Sequence, residues 1–503
     1  MTDYLKFRTE SSGRHKGKHH IIIVGAGIIG VCTAYYLVHH PKFDPEKYHI
    51  TIVESKRVAG GASGKAGGLL ALWAFPQEIV PLSFQLHQEL SDQYNGEEEW
   101  GYRRLNTVSL EGDISHLKDL EEEDEDNDED DVQPETFKQS KRHDSDSSSS
   151  LARDSTKTKA KLPETLNWIT ESLISECSTL GGTDTTAQVH PYKFTTFILK
   201  KAVEKAHGAI ELIIGKVNEI VFSMETGRAT GVAYQPTSVK SSVSSKHKSV
   251  KLKGNQIVLS VGPWTSKILP DCPISGLRAH SITVSPFKDQ PVSPYAIFTE
   301  FKTGSYSYIS PEIYARQDEV YVCGEGDSAV DVPETTDDVE VVKSKCDELF
   351  KQVGKISPNL RRGHILKKQA CYLPVLDVPS SSGPLIGETN VESLFLASGH
   401  SCWGINNAPG TGKIMSELLL DGASKSADTS GLDPSLYFDA SVLVSDDEDN
   451  DNLEDDIKAA QDDRYFGDDD DDEEEDDFEV NHDEDDYTDD TNDTTRNTVT
   501  HKI

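Results

Sequence analysis

The chain of 503 residues lacks most of the features that mark secreted, zinc-binding or membrane-spanning proteins. Its seven cysteines are odd in number, scattered and free of any C-x-x-C pair, which argues against disulfides and a structural metal site. The N-terminus has no apolar signal core, and the first apolar run, residues 21–31, is too short to span a bilayer. The last three residues, His-Lys-Ile, do not match the peroxisomal Ser-Lys-Leu signal. We therefore expect a cytoplasmic protein that is not secreted, binds no metal and has no transmembrane segment.

Basic residues are scarce, with 50 Lys and Arg against 87 Asp and Glu and a formal net charge of −37. Residues 441–503 contain 28 acidic and 4 basic residues, and residues 111–160 contain 17 and 7, which leaves about −3 for the rest of the chain. Nucleic acid is disfavoured as a partner because the acidic segments repel phosphate. Both segments are predicted to be disordered, since like charges repel and apolar side chains are few. A docking arm for a basic protein partner is the alternative to a purely solvated tail.

A glycine motif directly follows the first apolar run and opens a helical pattern. It fits G-x-G-x-x-G with Gly25, Ala26, Gly27, Ile28, Ile29 and Gly30. Such glycines allow a tight turn, let the backbone approach a pyrophosphate and permit close helix–strand packing. Glu54 and Ser55 close the next apolar strand, 24 and 25 residues after Gly30, where a carboxylate accepts ribose hydroxyls. An acidic residue there disfavours a phosphorylated ribose, so the motif predicts FAD or NAD rather than NADP.

Three later segments separate these two cofactors. The glycine-rich loop "GGASGKAGGLL" follows Glu54, the stretch "KVNEI" contains Val217, and a further apolar strand ends in Gly262 and Trp264. Near the end, a strand is followed by a glycine turn and a helix in "LFLASGHSCWGINNAPGTGKIMSELL". In this order the segments resemble the D-amino-acid-oxidase-like flavoprotein superfamily, which includes glycine oxidase and sarcosine oxidase. The chain is similar above all to fungal oxidoreductases of the "topoisomerase I damage affected" type, down to "CYLPV" and "ISGLRAHSI".

The resemblance implies that FAD is the cofactor, and it adds contacts to those of the glycine motif. Val217 would abut the adenine through its backbone, and Gly262 and Trp264 would lie near the dinucleotide. The helix after the closing turn would point its N-terminus at the flavin pyrimidine, where reduction builds negative charge. The implied loop and closing-turn contacts are Ala62, Ser63, Lys65, Ala66, Gly67, Gly68, Leu69, Gly399, His400, Ser401, Cys402, Trp403, Gly404 and Ile405.

The alternation of strand and helix patterns, read with the resemblance, predicts an α/β fold. A Rossmann-like FAD-binding domain is interleaved with an α+β substrate domain built on an antiparallel sheet. We expect the FAD-binding domain in residues 19–80, 188–275 and 370–440, the substrate domain in 81–113, 162–187 and 276–369, and disorder in 1–18, 114–161 and 441–503.

Four residues are candidates for catalysis, and each has a structural alternative. Arg278 and His280 enter the second domain and could line a pocket, or could serve as an ion-paired arginine and a hydrogen-bonded histidine. His400 lies in the closing turn, where packing beneath the flavin is the commoner role. Tyr372 could bind a substrate or simply pack in a strand.

Departures from the family bear on the substrate. Glycine and D-amino acid oxidases hold the substrate carboxylate with an arginine directly before a proline, whereas this chain has Leu373 before Pro374. Leucine cannot provide the bidentate contact of a guanidinium. The lysine of sarcosine oxidases in the flavin loop is replaced by Asn406. Cys371 lies near the cysteine that sarcosine oxidases join covalently to the flavin, and plain packing is the favoured alternative.

The sequence thus predicts an FAD-dependent oxidoreductase that oxidises a small amine or amino-acid-like substrate. Hydride would pass from a C–H beside nitrogen or oxygen to flavin N5, and O2 or another acceptor would reoxidise the flavin. The alternative, drawn from the fungal resemblance, is a flavin-binding fold that acts as a regulatory factor in endosomal retrograde transport, with late endosomes as a location. An NAD-dependent dehydrogenase is disfavoured by the flavin-type closing segment.

Overall fold

The structure is a computed structural model that describes residues 7–117, 161–237, 249–288, 292–381 and 383–444. Its strands are β1 (Phe7–Arg8), β2 (His19–Val24), β3 (Tyr48–Glu54), β4 (Leu69–Ala71), β5 (Arg103–Arg104), β6 (Asn106–Asp113), β7 (Ile174–Gly181), β8 (Thr186–Gln188), β9 (Ile210–Phe222), β10 (Ala229–Pro236), β11 (Val250–Lys253), β12 (Gln256–Leu259), β13 (Ile274–Ser285), β14 (Tyr295–Lys302), β15 (Tyr308–Ile309), β16 (Glu312–Ala315), β17 (Val320–Asp327), β18 (His364–Leu376), β19 (Leu385–Glu388) and β20 (Leu394–Ser398). Its helices are α1 (Ile28–His39), α2 (Ala62–Lys65), α3 (Val80–Tyr94), α4 (Gly96–Trp100), α5 (Pro191–Lys205), α6 (Thr265–Ile268), α7 (Lys343–Ile356), α8 (Pro358–Arg361) and α9 (Gly404–Asp421).

The larger sheet has a parallel centre. Its order is β11-β10-β9-β3-β2-β12-β20-β19, with β1 paired to β9, and the strands from β9 to β20 run parallel. These central strands are continuous apolar runs, as in "HHIIIV", because helices cover a parallel sheet. Side chains on one face of the central strands pack with α1, α5 and α9. Side chains on the other face pack against those of β10 and β11, which lie at the end of the same sheet. The sheet places the carboxyl ends of β2, β3, β12 and β20 along one edge.

The second sheet has the order β18-β13-β17-β16-β14-β6-β7, with β15 paired to β14, and all its pairs are antiparallel except β14 with β6. One face carries Ile282, Val284, Val320 and Val322, which pack against α7. The strands β4, β8 and β5 form a third, separate sheet in that order. This mixed architecture confirms the predicted α/β class. The division into two interleaved domains stays a prediction.

Part of the segment predicted to be disordered is ordered. Residues 7–18 are not a free lead-in, because β1 pairs in parallel with β9 at Phe7 and Arg8. Ser12 donates its backbone N–H to Glu211 at 2.7 Å, and Arg8 lies 3.5 Å from the same carboxylate. This polar stretch gains its order from a distant strand, which local sequence does not reveal. The disorder predicted for most of the acidic insertion and tail falls on residues 118–160 and 445–503, outside the described residues.

Candidate active site

A cavity of about 830 Å³ lies between the carboxyl ends of the parallel strands and the free face of the antiparallel sheet. Its size falls within the range of about 300–1,000 Å³ that is typical of small-molecule and cofactor sites. Residues after β2, β3, β12 and β20 form one wall, which is where ligands bind in open α/β sheets. Within the described ranges, no helix has the length and apolar character to cross a bilayer, and no cluster of His, Cys, Asp and Glu is arranged to hold a metal.

The glycine motif forms the turn from β2 into α1. Gly25, Gly27, Ile28 and Ile29 line the cavity, whereas Ala26 and Gly30 lie behind them. Gly27 caps α1 without a side-chain hydrogen bond, so first-turn N–H groups are left for another acceptor. The N–H of Ile28 donates to Ser63 Oγ at 2.9 Å, which ties this turn to the glycine-rich loop.

Glu54 ends β3 and is buried beside the motif. It accepts hydrogen bonds from the backbone N–H of Ala26 at 2.9 Å and of Lys56 at 2.9 Å, and from Ser55 Oγ at 3.1 Å. Burial raises the pKa of the Glu54 carboxyl, although these hydrogen bonds act in the opposite direction. Both Glu54 and Ser55 line the cavity, as a ribose-binding role requires.

The glycine-rich loop contributes most of its predicted residues to the cavity wall. Those that line it are Gly60, Gly61, Ala62, Ser63, Ala66, Gly67, Gly68 and Leu69. Lys65 does not line it, and its Nζ instead donates to the carbonyl of Ala370 in β18 at 3.0 Å. Lys65 therefore ties the loop to the second sheet.

Val217, Gly262 and Trp264 lie together at one end of the cavity, as predicted for a dinucleotide. The sequence analysis missed an ionic group there, in which the Glu334 carboxylate accepts from Lys267 Nζ at 2.8 Å and also pairs with Lys216. Trp264 Nε1 donates to the carbonyl of Pro333 at 2.6 Å. These contacts hold the loop after β17 across this end of the cavity. Lys216 adjoins Val217 in sequence, but nothing local marked Glu334.

The closing turn brings His400, Ser401, Cys402, Trp403, Gly404 and Ile405 to the cavity, while Gly399 lies behind them. The helix α9 begins at Gly404, and no side chain caps its N-terminus. The indole N–H of Trp403 is buried and has no hydrogen-bond partner among the residues that the structure describes. These donors are available to an acceptor atom of a ligand at the closing turn.

His400 is buried and shares a hydrogen bond of 3.0 Å with Thr411 Oγ1. Burial lowers the pKa of its imidazole to about 3. The ring is therefore neutral at physiological pH and is a weak base.

The other three catalytic candidates face away from the cavity. Side chains alternate between the faces of a strand, and the cavity is lined by Leu277 and Ala279 of β13 and by Cys371 and Leu373 of β18. Arg278, His280 and Tyr372 occupy the intervening positions and do not line the cavity, which favours the structural roles that were their alternatives.

Each of these three side chains has a structural partner. Arg278 binds Glu340 Oε2 at 2.8 Å and Asp327 Oδ1 at 3.0 Å. The His280 Nε2 accepts the N–H of Val342 at 3.0 Å, and the Tyr372 hydroxyl donates to the carbonyl of Asp331 at 3.0 Å. They join the outer face of the sheet to the loop that precedes α7.

The residues singled out as departures have distinct positions. Cys371 lines the cavity, and its burial raises the pKa of the thiol to about 11, which favours the thiol over the reactive thiolate. Leu373 also lines the cavity. Asn406 is fully buried and bridges β4 and α9, since its Oδ1 accepts from Ala71 N–H and its Nδ2 donates to Asn407 Oδ1, both at 2.9 Å.

An aromatic wall lines the cavity beside these residues, and the sequence analysis missed it. Its rings are in mutual contact in the order Phe75, Trp403, Trp73, Phe298, Tyr314 and Tyr321. They come from the loop after β4, the closing turn and the strands β14, β16 and β17. The alternation in "EIYA" and "VYVCGE" places 312, 314, 321 and 323 on one face, which was the available signal.

The cavity fits a flavin dinucleotide on its own chemistry. A methyl group on Gly27 would lie 3.1 Å from Ser63 Oγ and would protrude where a pyrophosphate needs the bare backbone. Two uncapped helix N-termini and the unpaired Trp403 N–H are donors that match an acceptor-rich cofactor.

The chain is similar to known proteins in sequence and in fold. Residues 20–418 match the family model described as "DAO: FAD dependent oxidoreductase". The chain is 50% identical to "Putative oxidoreductase TDA3" of Saccharomyces cerevisiae, over 87% of this chain and 98% of that protein. It is 36% identical to "Putative oxidoreductase C1F5.03c" of Schizosaccharomyces pombe, over 82% and 97%.

Among solved structures, iminodiacetate oxidase from Chelativorans sp. BNC1 has a similar fold, with a TM-score of 0.56, 16% identity, and coverage of 82% of this chain and 98% of that one. The resemblance drawn from the motifs is thereby confirmed, as is FAD as the cofactor. The chain belongs to the DAO family of FAD-dependent oxidoreductases.

Proposed function

We propose that this oxidoreductase oxidises a small amine or amino-acid-like molecule in the cavity beside the closing turn. When bound, FAD supplies the hydride acceptor at flavin N5, and O2 or another acceptor takes the electrons onward. The substrate loses a hydride and a proton and becomes an imine. The observation that supports the proposal is that a single cavity extends from the glycine motif to the antiparallel sheet, so a cofactor and a small substrate can lie side by side in it.

Binding of FAD is assigned to the residues that line the dinucleotide end. The backbone of Gly25 and Gly27 and the N-terminus of α1 would hold the pyrophosphate, and Glu54 would accept the ribose hydroxyls. Val217 would contact the adenine. Gly404 and Ile405 of α9 would face the flavin pyrimidine and stabilise its reduced, more negative form.

The four catalytic candidates supply no strong base, and the cavity contributes the position of the substrate and the exclusion of water. Neutral His400 is a weak base, and Arg278, His280 and Tyr372 lie outside the cavity. The substrate nitrogen must therefore reach the reaction unprotonated, with its proton released to solvent on entry. Leu277, Leu373 and Val375 form an apolar wall that excludes water from the reacting carbon.

The test begins with the purified protein and its visible spectrum. Acid precipitation shows whether the yellow colour stays with the protein, as a Cys371 link requires, or enters the supernatant. Amines and amino acids are then screened without oxygen for bleaching of the flavin band near ~450 nm. Gly431→Ala, at an open position outside the cavity, is the matched control for glycine variants of the motif. A protein that binds FAD but is bleached by none of the compounds would contradict the amine oxidation.

The alternative role in endosomal transport is favoured by the absence of an arginine at Leu373 and by the acidic segments. Those segments lie mostly outside the described residues, so this role stays a prediction, as does a basic protein partner. Combined Gly25 and Gly27 substitutions that abolish FAD binding, and separately removal of residues 441–503, distinguish the two roles. Transport that survives loss of FAD but not loss of the tail would support the alternative.

A further inference from the structure

The part of the cavity that is bounded by the aromatic wall is called its substrate end. Aromatic rings line this end. The six rings of the aromatic wall form an unbroken series, in which Trp73 meets Trp403 edge-to-face at 5.4 Å between centroids and Phe298 at 6.1 Å. Trp73 keeps 38% of its surface exposed although it is a large apolar side chain. An accessible indole at a cavity wall offers a π-system whose faces carry negative potential.

A carboxylate lies within the same wall. Glu312 of β16 lines the cavity next to Tyr314 and opposite Cys323. The Tyr314 hydroxyl donates to Glu312 Oε2 at 2.5 Å, and Cys323 Sγ lies 3.6 Å from the same oxygen. The carboxylate is therefore held in a fixed orientation by its neighbours on the sheet.

Positive side chains that line the cavity lie at the other end, among the residues that the structure describes. Of the described residues that line the cavity, the cationic ones are Lys216 and Lys267, and both are paired with Glu334 beside Val217 and Trp264. No described residue that lines the cavity around Leu373 carries a guanidinium or ammonium group. Behind this wall, Lys65 Nζ lies 3.0 Å from the carbonyl of Ala370, and the Arg316 guanidinium, which is paired with Glu319, stacks on Tyr321 at 4.9 Å. A substrate carboxylate would meet Glu312 and the π-faces there, both of which repel it.

We propose that the substrate is a small organic ammonium cation without a carboxylate, held by Trp73, Trp403 and Glu312. This inference rests on the proposed amine oxidation and narrows its substrate class. Aromatic faces and a carboxylate together are the groups that recognise alkylammonium ions. The anchoring nitrogen stays charged in this arrangement, so the oxidised C–H belongs to a neighbouring carbon that carries a second, unprotonated nitrogen.

The experiment measures binding to the FAD-loaded protein, so it does not depend on turnover. Calorimetry and the flavin difference spectrum are recorded with choline, with its neutral isostere 3,3-dimethylbutan-1-ol, and with betaine, which carries the same cation and a carboxylate. We expect choline to bind at least tenfold more tightly than either, a difference of about 1.4 kcal/mol. Glu312→Gln and Trp73→Leu should each reduce this preference severalfold. Tyr306→Ala, which removes a 98% exposed ring outside the cavity, should leave it unchanged.

Each outcome has a definite reading. Equal binding of choline and its neutral isostere, or tighter binding of betaine, overturns the inference even if amines reduce the flavin. Choline binding that persists in Glu312→Gln and Trp73→Leu overturns the assigned residues. Flavin content and denaturant unfolding of each variant show that it is folded and loaded. If choline binds selectively but no amine reduces the flavin, the proposed amine oxidation is contradicted, whereas the cation-binding site is supported.

Discussion

Two glycines of the same motif should respond to alanine in opposite ways. Gly27 has φ −72° and ψ 175°, which alanine adopts freely, and its added Cβ would meet only Ser63 Oγ at 3.1 Å. At Gly30 the Cβ would lie 2.3 Å from the carbonyl oxygen of Gly25 and 2.5 Å from Ser260 Oγ. Gly27→Ala therefore crowds the cavity, whereas Gly30→Ala crowds the packing between α1 and the strands.

The magnitudes follow from these distances. Overpacking at Gly30 should lower the free energy of unfolding by about 1–3 kcal/mol. Gly27→Ala should change it by less than about 1 kcal/mol, while FAD affinity falls by about 10- to 100-fold because the methyl group displaces the pyrophosphate. Denaturant unfolding of the FAD-free proteins measures the first quantity, and flavin retained after dialysis against set FAD concentrations measures the second. Gly431→Ala should change neither. A folded Gly27→Ala protein with native FAD affinity would refute the assignment of this backbone to the pyrophosphate.

Three further predictions concern the cavity wall and the core. Arg278→Leu should lower the free energy of unfolding by about 1–3 kcal/mol, because Asp327 loses a partner, and should leave choline binding unchanged. Weaker choline binding at normal stability would instead show that Arg278 contributes to the binding site. Leu373→Arg should create affinity for acetate or benzoate, seen in the flavin difference spectrum, and weaken choline binding; no gain in carboxylate affinity would show that this position does not face the substrate. Burial lowers the pKa of His87 to about 4 and of His400 to about 3, so the unfolded state takes up their protons first and stability should fall below pH 6.5 by up to about 1.4 kcal/mol per pH unit for each histidine. Denaturant unfolding between pH 7.5 and 4.5 measures this slope, and a flat profile would contradict it.

Local sequence predicted the parts of the site whose backbone shape is set by a few neighbouring residues. The turn at Gly25 and Gly27, the carboxylate of Glu54 and the start of α9 after the closing turn all lie within short segments whose residue types dictate their shape. For this reason their places at the cavity could be predicted. Arg278 was misplaced because a one-residue change in strand phase moves a side chain to the other face of a sheet.

The aromatic wall illustrates what sequence could not provide. Phe75, Phe298 and Trp403 are separated from one another by more than a hundred residues, and they join one series of rings only because β14 and the closing turn border one cavity. The order of β1 likewise depends on its pairing with β9 across more than two hundred residues. Contacts of this kind arise from strand order and register, which no local pattern specifies.

The sequence by itself determined the family, the cofactor and the missing arginine at Leu373, because each is written in contiguous residues. Only the tertiary structure decided which side chains face the cavity. Strand register turned Arg278, His280 and Tyr372 toward the loop before α7, and turned Glu312, Tyr314 and Tyr321 toward the cavity. The carboxylate of Glu312 and the rings of Trp73 and Trp403 are far apart in the sequence, and only the fold brings them to one wall of the cavity.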